Sequence, residues 1–549
     1  MLCDGCATEL LARGGPCPTC RVPVLAVGGT RRVEPEEAQQ SESFQEALDP
    51  EARTRALAAR EQADDDEDDS DSDPSSDSSS DSDSSFGSDS SLSWADTEEG
   101  QRTLAFLFSN ESSSSDIAQC LFEHDVPVET LIAVMHAHAE KAEVQEAACS
   151  VLRDWCMGDD DRETAGDEGA IEAVAAALRT HCASAAVQKR GCAALCFVCT
   201  KHADNKTLAG NVGAIEAVVA ALNAHTGDAG VQEKGCLFLR NMCVNVDNVA
   251  KAVSAGAIEA MVAALRAHSA DAVVQQQGCV ALSNLCKKNA DNKVKAGSAG
   301  AVEAVLGGLQ AHIADAAVQQ QGCIALRSLC ANADNQAKAV GAGAFEAVVS
   351  ALRTHRTIAD LQTEGCDALG FLCSSTDDQA KASSIGAIEA VIAALNAHGQ
   401  DAGLQENGCW ALSKMCSKHA ENKALAGGAG AVEAVTAALR THSASAVVQK
   451  RGCRALGSLC HENAENKTKA GSAGAIEAVV AALGAHSADA AVQKEGCTAV
   501  RNVCSAHASN GARARAAGAA AAIGAALAAF PEGAVADAAK KALEKIAAA

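Results

Sequence analysis

From Val128 onward the chain repeats one passage every 43 or 44 residues, and that period narrows the possible folds more than any bulk property does. Asp204 to Cys243 serves as the template: DNKTLAG, then Gly213-Ala214, IEAVVAAL, His225, VQ, Gly235-Cys236 and a second cysteine, Cys243. The residue that opens the middle segment recurs as Val128, Ile171, Ile215, Ile258, Val302, Phe345, Ile388, Val432 and Ile476. The cysteine of the later segment keeps the same step, from Cys149 through Cys323 to Cys497. Units of this length cannot bury an apolar face alone. They stack, and the stack is a helical solenoid.

Each unit reads as three helices. Asp204-Asn205-Lys206, Asp291-Asn292-Lys293 and Glu421-Asn422-Lys423 mark the start of a short first helix, where Asp and Asn are expected to cap free N–H groups. Gly213, Gly256, Gly300 and their equivalents follow, at a turn that needs the left-handed backbone. In the second helix Ile215, Val218, Val219 and Leu222 form one buried stripe, and Glu216 suits the dipole of the first turn. Val231, Cys236, Leu239 and Cys243 make the apolar face of the third helix. Its mid-helix Gly235 costs about 1 kcal/mol against Ala, so close packing on a neighbouring helix is expected there. With aromatic residues at 2% and no Tyr, the core must be built from Ala, Val, Leu, Ile and Cys. The paired cysteines of the third helix, seven apart, lie about 10.5 Å apart along it, too far for a disulfide, and read as small core hydrophobes. A histidine ends the middle helix of every unit, from His138 to His486, and is expected to cap the negative end of the dipole.

The order short helix, Gly turn, middle helix, long helix resembles the armadillo repeat. The residues that carry the likeness are the NK-then-GAIEAVVAAL passage and the VQ…ALSNL passage ending at Leu285. The resemblance implies an all-α, right-handed armadillo/HEAT-like superhelical solenoid of about ten three-helix repeats. Residues 101–127 are expected as a partial N-terminal cap, 128–519 as the repeats, and 520–549 as a degenerate C-terminal capping repeat. Features repeated in every unit are structural by default, so recognition is expected where units differ, on a concave groove lined by the third helix. Armadillo proteins carry Trp and Asn ladders there that grip an extended peptide. Here only Trp410 matches the Trp row, with Lys414 where its Asn belongs, and only Asn241, Asn284 and Asn502 match the Asn row. Leu237, Val280 and Ile324 form an apolar strip beside Asn241 and Asn284, the expected seat of a protein or extended peptide.

The N-terminus is of a different kind. Cys3-x2-Cys6 and Cys17-x2-Cys20 have the spacing of paired thiolates that share a tetrahedral Zn2+. The ending Cys-Pro-Thr-Cys-Arg-Val-Pro-Val resembles the last quarter of a RING finger, a family that recruits a ubiquitin-conjugating enzyme and has no catalytic nucleophile of its own. Only the last four of its eight ligands are present, so residues 1–25 are expected to be either the end of a RING whose start lies upstream of Met1 or a single-zinc, ribbon-like knuckle. Residues 33–57 are expected as a short helix within a 26–100 linker. Thirteen of the chain's acids, and no Lys or Arg, fall between Glu61 and Ser90, half of the net charge of −26. That Asp/Ser tract is expected to be disordered.

No basic face favours nucleic acid, and no apolar run reaches the roughly 20 residues that a membrane span needs. The leader-free start and the core-placed cysteines point to an intracellular protein, cytoplasmic and/or nuclear. No nucleophile–base pair, phosphate loop or catalytic carboxylate pair occurs at a unique place. The expectation is a substrate-binding adaptor of a RING-type ubiquitin ligase, ahead of a non-enzymatic scaffold with a zinc knuckle, and ahead of a nuclear-import receptor.

Overall fold

The computed structural model describes residues 94–109 and 111–548. The chain divides into two units, Met1–Thr97 and Glu98–Ala549. The described part of the first holds a single 3-10 turn, Trp94–Asp96. Cys3, Cys6, Cys17 and Cys20, the expected helix at 33–57 and the acidic tract lie outside the described residues.

The second unit is an all-α solenoid. Two helix pairs open it, Glu98–Leu107 with Ser114–Glu123 and Val128–Ala137 with Ala142–Trp155. Three-helix units then run from Asp159 to Ala548, each in the order short, middle, long. The unit opened by Val128 thus has two helices rather than three, because residues 124–127 pass directly into the middle helix. The last unit begins at Ala508, earlier than the residue 520 read from sequence, since its short helix Ala508–Ala516 lacks the usual Asn-Lys pair.

The turn glycines act as their position requires. Gly213 has φ 79° and Gly256 φ 92°, and each is followed at once by its middle helix. Short and middle helices meet at 70° in these two units, a bend that a side chain in the left-handed region would strain. The mid-helix glycine works differently. A Cβ on Gly235 would stand 2.6 Å from Leu222 Cδ2, so its absence lets the third helix lie directly on the middle helix of its own unit.

Adjacent third helices pack against one another much more extensively than adjacent middle helices do. The stack is therefore tightest along the third helices, and these form one continuous face. Val231, Cys236, Leu239 and their equivalents lie buried beneath it.

Two side-chain ladders bolt the units together, and both correct the reading from sequence. The asparagine of the short helix is no cap. Asn335 is buried, and its Nδ2 donates to the Lys293 carbonyl one unit back at 2.8 Å. Capping falls to the residue three earlier, such as Asn332 or His202, whose side chain accepts the N–H of that asparagine. The histidines do not cap their own helix either. His225 Nε2 donates to the Cys182 carbonyl at 2.8 Å, and the same bond recurs at His268, His355 and His486. A carbonyl can only accept, so Nε2 carries the proton in each. The middle-helix carbonyls are capped by the buried glutamine of the VQ pair: Gln232 Nε2 donates to the Leu222 and His225 carbonyls.

Among the described residues no single helix is long and apolar enough to cross a membrane.

Candidate protein-binding groove

The residues that differ between units gather on the third-helix face. Leu237, Val280 and Ile324 sit on three successive third helices, Ala229–Met242, Ala272–Cys286 and Ala316–Cys330, each half-buried. The shared position one residue past the core cysteine puts them in a row across the stack.

The asparagines lie beside this row, already tied into the fold. Asn284 Nδ2 donates to the Arg240 carbonyl at 3.1 Å, Asn502 Nδ2 to the Gly457 carbonyl at 2.9 Å, and Asn241 Nδ2 to Cys196 Sγ at 3.1 Å. Each bond reaches the preceding third helix. Asn502 is buried, whereas Asn241 and Asn284 remain half-buried with a second amide hydrogen and Oδ1 left on the face.

Trp410 and Lys414 stand apart from that row, on the helix Ala402–Cys416. Trp410 packs edge-on against Phe371, with ring centroids 4.9 Å apart, and Arg451 lies 5.1 Å from its ring centre. The indole fits because residue 370 is glycine: a Cβ there would stand 2.1 Å from Trp410 Cζ3. Arg451 in turn pairs with Glu406 at 3.1 Å. One face of the indole is thus covered by the chain's own guanidinium.

Sequence reasoning missed the arginine contacts that cross from one third helix to the next. Arg327 Nη1 stands 3.0 Å from Asp367 Oδ2 and 3.4 Å from Glu364 Oε2. Arg454 pairs with Glu495 at 2.8 Å, and Arg240 donates to Gln277 at 2.8 Å. Asp367 is 8% exposed, and Glu364 Oε2 is buried without a hydrogen bond. Burial pushes the Glu364 carboxyl above the usual range. Arg327 opposes that shift, and Asp367 adds to it. The available signal was Asp367 itself, an acid in a row otherwise mostly apolar or uncharged.

The buried cysteines among the described residues read as core side chains. Of those described, all but Cys182 are buried, and burial pushes thiols such as Cys149, Cys279 and Cys416 up to about 12. Such groups stay protonated and are poor nucleophiles or ligands. No grouping of His, Cys, Asp or Glu among the described residues has the form of a metal site. Two open clefts, of 270 and 420 Å3, lie around Arg353 at the middle helices, away from this face; Arg353 spans them by donating to the Ile385 and Gly386 carbonyls.

A stack of three-helix units with one variable, partly apolar face defines a class of solenoid proteins that bind other proteins. The chain belongs to the family described as the GAC ARM domain, whose model matches residues 116–406, more than half of its length. No curated protein matches it. Among solved structures, it is similar to the crystal structure of an engineered protein, with 25% identity and a TM-score of 0.66, covering 76% of this chain and 98% of that one. It is also similar, at 13% identity and a TM-score of 0.58, to a chain from work on a conserved phosphorylation switch controlling the interaction between cadherin and beta-catenin. That match covers 82% of this chain and 99% of the other, and it bears on the fold alone.

Proposed function

We propose that the third-helix face binds an extended segment of a protein partner, and that the chain serves as the substrate-selecting part of a RING-type ubiquitin ligase. The observation that carries the binding reading is the row Leu237, Val280 and Ile324. It leaves apolar surface half-exposed beside the spare amide groups of Asn241 and Asn284. Apolar side chains of a partner would lie on the row, and its backbone would meet the amides. The test is capture of partners by the full chain carrying Val280→Asp and Asn284→Ala. Capture is expected to fall to background with the helical circular dichroism unchanged; undiminished capture would place binding elsewhere.

The ligase part rests on the N-terminal cysteines. Four thiolates in two Cys-x2-Cys pairs are a complete donor set for one tetrahedral zinc, so Cys3, Cys6, Cys17 and Cys20 fit the ion. Bound zinc would cross-link the two pairs and supply no nucleophile. The full chain is expected to purify with zinc, and Cys17→Ser with Cys20→Ser to lose it; a zinc-free wild-type chain would sink this part. That the four thiolates suffice for a single ion also favours a second reading, a scaffold with a simple knuckle. Binding of a ubiquitin-conjugating enzyme to the zinc-loaded chain separates the two, since the adaptor requires it and the scaffold does not.

A further inference from the structure

Away from the third-helix face, two further sets of bonds tie each unit to the next, and the junctions share them unevenly. In the first set an arginine near the end of a middle helix donates to turn carbonyls of the following unit. Arg266 reaches Gly300 at 3.1 Å, Arg353 reaches Ile385 and Gly386 at 3.1 and 3.3 Å, and Arg440 reaches Ala473 and Gly474 at 2.8 and 3.1 Å. In the second set a lysine of a short helix donates back to the preceding short helix: Lys295 to the Val253 carbonyl, Lys338 to Gly297, Lys381 to Val340 and Lys469 to Gly427. Hydrogen bonds from a charged donor are among the stronger ties a surface can make.

The arginine occurs only in every second unit, because Asn223, Gln310, Asn396 and Gly484 stand at the same place in the units between. The junction between residues 333–372 and 376–416 has both ties, Arg353 and Lys381, and so has that between 420–460 and 464–504, with Arg440 and Lys469. The junction that lies between these two has neither. Asn396 replaces the arginine, and Leu425, which cannot donate and is 38% exposed, replaces the lysine. Every other junction between three-helix units keeps at least one tie, as with Arg179, Lys251 and Arg513. Here only the bonds common to the stack remain, His442 to the Gly399 carbonyl at 2.9 Å and Asn422 to the Gln379 carbonyl at 2.8 Å.

On the third-helix face the same junction is held fast. Trp410 lies between Phe371 of the unit before and Arg451 of the unit after, and Arg451 pairs with Glu406 across the junction. Two bodies fastened along one edge and loosely tied along the other bend about the fastened edge. We infer that the solenoid carries a hinge between Cys416 and Ala420, with its axis along Trp410 and Arg451. The units from Ala420 onward swing against those before Cys416 while every helix stays intact. Leu237, Val280 and Ile324 lie on one side of this axis and Asn502 on the other, so a partner that touched both would fix the angle. The hinge itself holds whether or not that face binds a peptide.

Double electron–electron resonance on the full chain tests it. Nitroxides carried on a genetically encoded keto amino acid leave the cysteines untouched. Labels replacing Thr376 and Ala464, both exposed, span the hinge, and labels replacing Ala290 and Thr376 span two tied junctions. The distance distribution of the first pair is expected to be about twice as wide as that of the second. Asn396→Arg with Leu425→Lys supplies both missing ties and is expected to narrow the first distribution to the width of the second, a gain of order that misfolding cannot produce. Arg353→Asn with Lys381→Leu copies the hinge one junction earlier and is expected to widen the second. Equal widths in the native chain would overturn the hinge, and so would widths that either pair of substitutions leaves unchanged.

Discussion

Asn335 shows how one buried amide governs residues a whole unit away. Its Nδ2 donates backward to the Lys293 carbonyl and to the Leu329 carbonyl, both in the preceding unit, and its Oδ1 lies where a Cβ on Gly297 would come within 1.6 Å. The same fit pairs Asn466 with Gly427 and Asn510 with Gly471. A methyl at Gly297 must push the amide off its carbonyls, so Gly297→Ala is expected to destabilise the chain by about 1–3 kcal/mol. Gly307 lies in a helix with nothing near its added Cβ, and Gly307→Ala is expected to stabilise by about 0.5–1 kcal/mol. Urea midpoints of the two variants measure both, and equal shifts would refute the packing argument. At one junction the ladder changes chemistry. Asp378 replaces the asparagine and cannot donate from a carboxylate; it accepts instead from Ser374, Ser375 and Gln336, and the hydrogen bonds from the two serines hold its carboxyl below the usual range against its burial. The partners in the neighbouring unit, Lys293 for Asn335 and Gln336 for Asp378, do not follow from local sequence, because each sits 42 residues away.

Among the elements, the turn and the two apolar stripes were legible. Gly213 needs φ 79° whatever surrounds it, and Ile215, Val218, Val219 and Leu222 bury one side of any helix they form. The histidines were visible as a feature and opaque as a device. Their acceptors are the carbonyls of Ala139, Cys182, Thr226, Ser269, Ile313 and Arg356 in turn, so the side chain at the accepting position leaves no trace. The short helix was read with its cap displaced, because Asn205 has the right chemistry for capping and only burial assigns it to the preceding unit.

For the solenoid as a whole, stability comes from nearest neighbours, so opening is expected to begin at the ends. The buried cysteines report this. Burial pushes Cys120 and Cys504 up to about 11 and Cys323 to about 12; because a raised thiol pKa lowers the thiolate fraction at pH 8, labelling there requires opening of the chain. Among the described cysteines of the native chain, Cys182 is expected to react first. In sub-denaturing urea, mass spectrometry is expected to find Cys120 and Cys504 labelled before Cys323; simultaneous labelling would indicate one cooperative block.

The amino-acid order alone determined that this chain makes stacked three-helix units, where the glycine turns from Gly213 to Gly474 fall, and which residues line the core. Those features depend on backbone freedom and on apolar spacing within some ten residues. Only the tertiary structure decided how units are bolted and what the variable face offers. It showed Asn284 already bonded to the preceding helix, Trp410 covered by Arg451, and Arg327 shared between Glu364 and Asp367. Hydrogen bonds and ion pairs act over a few ångströms, and stacking brings to that range groups that the chain keeps about forty residues apart.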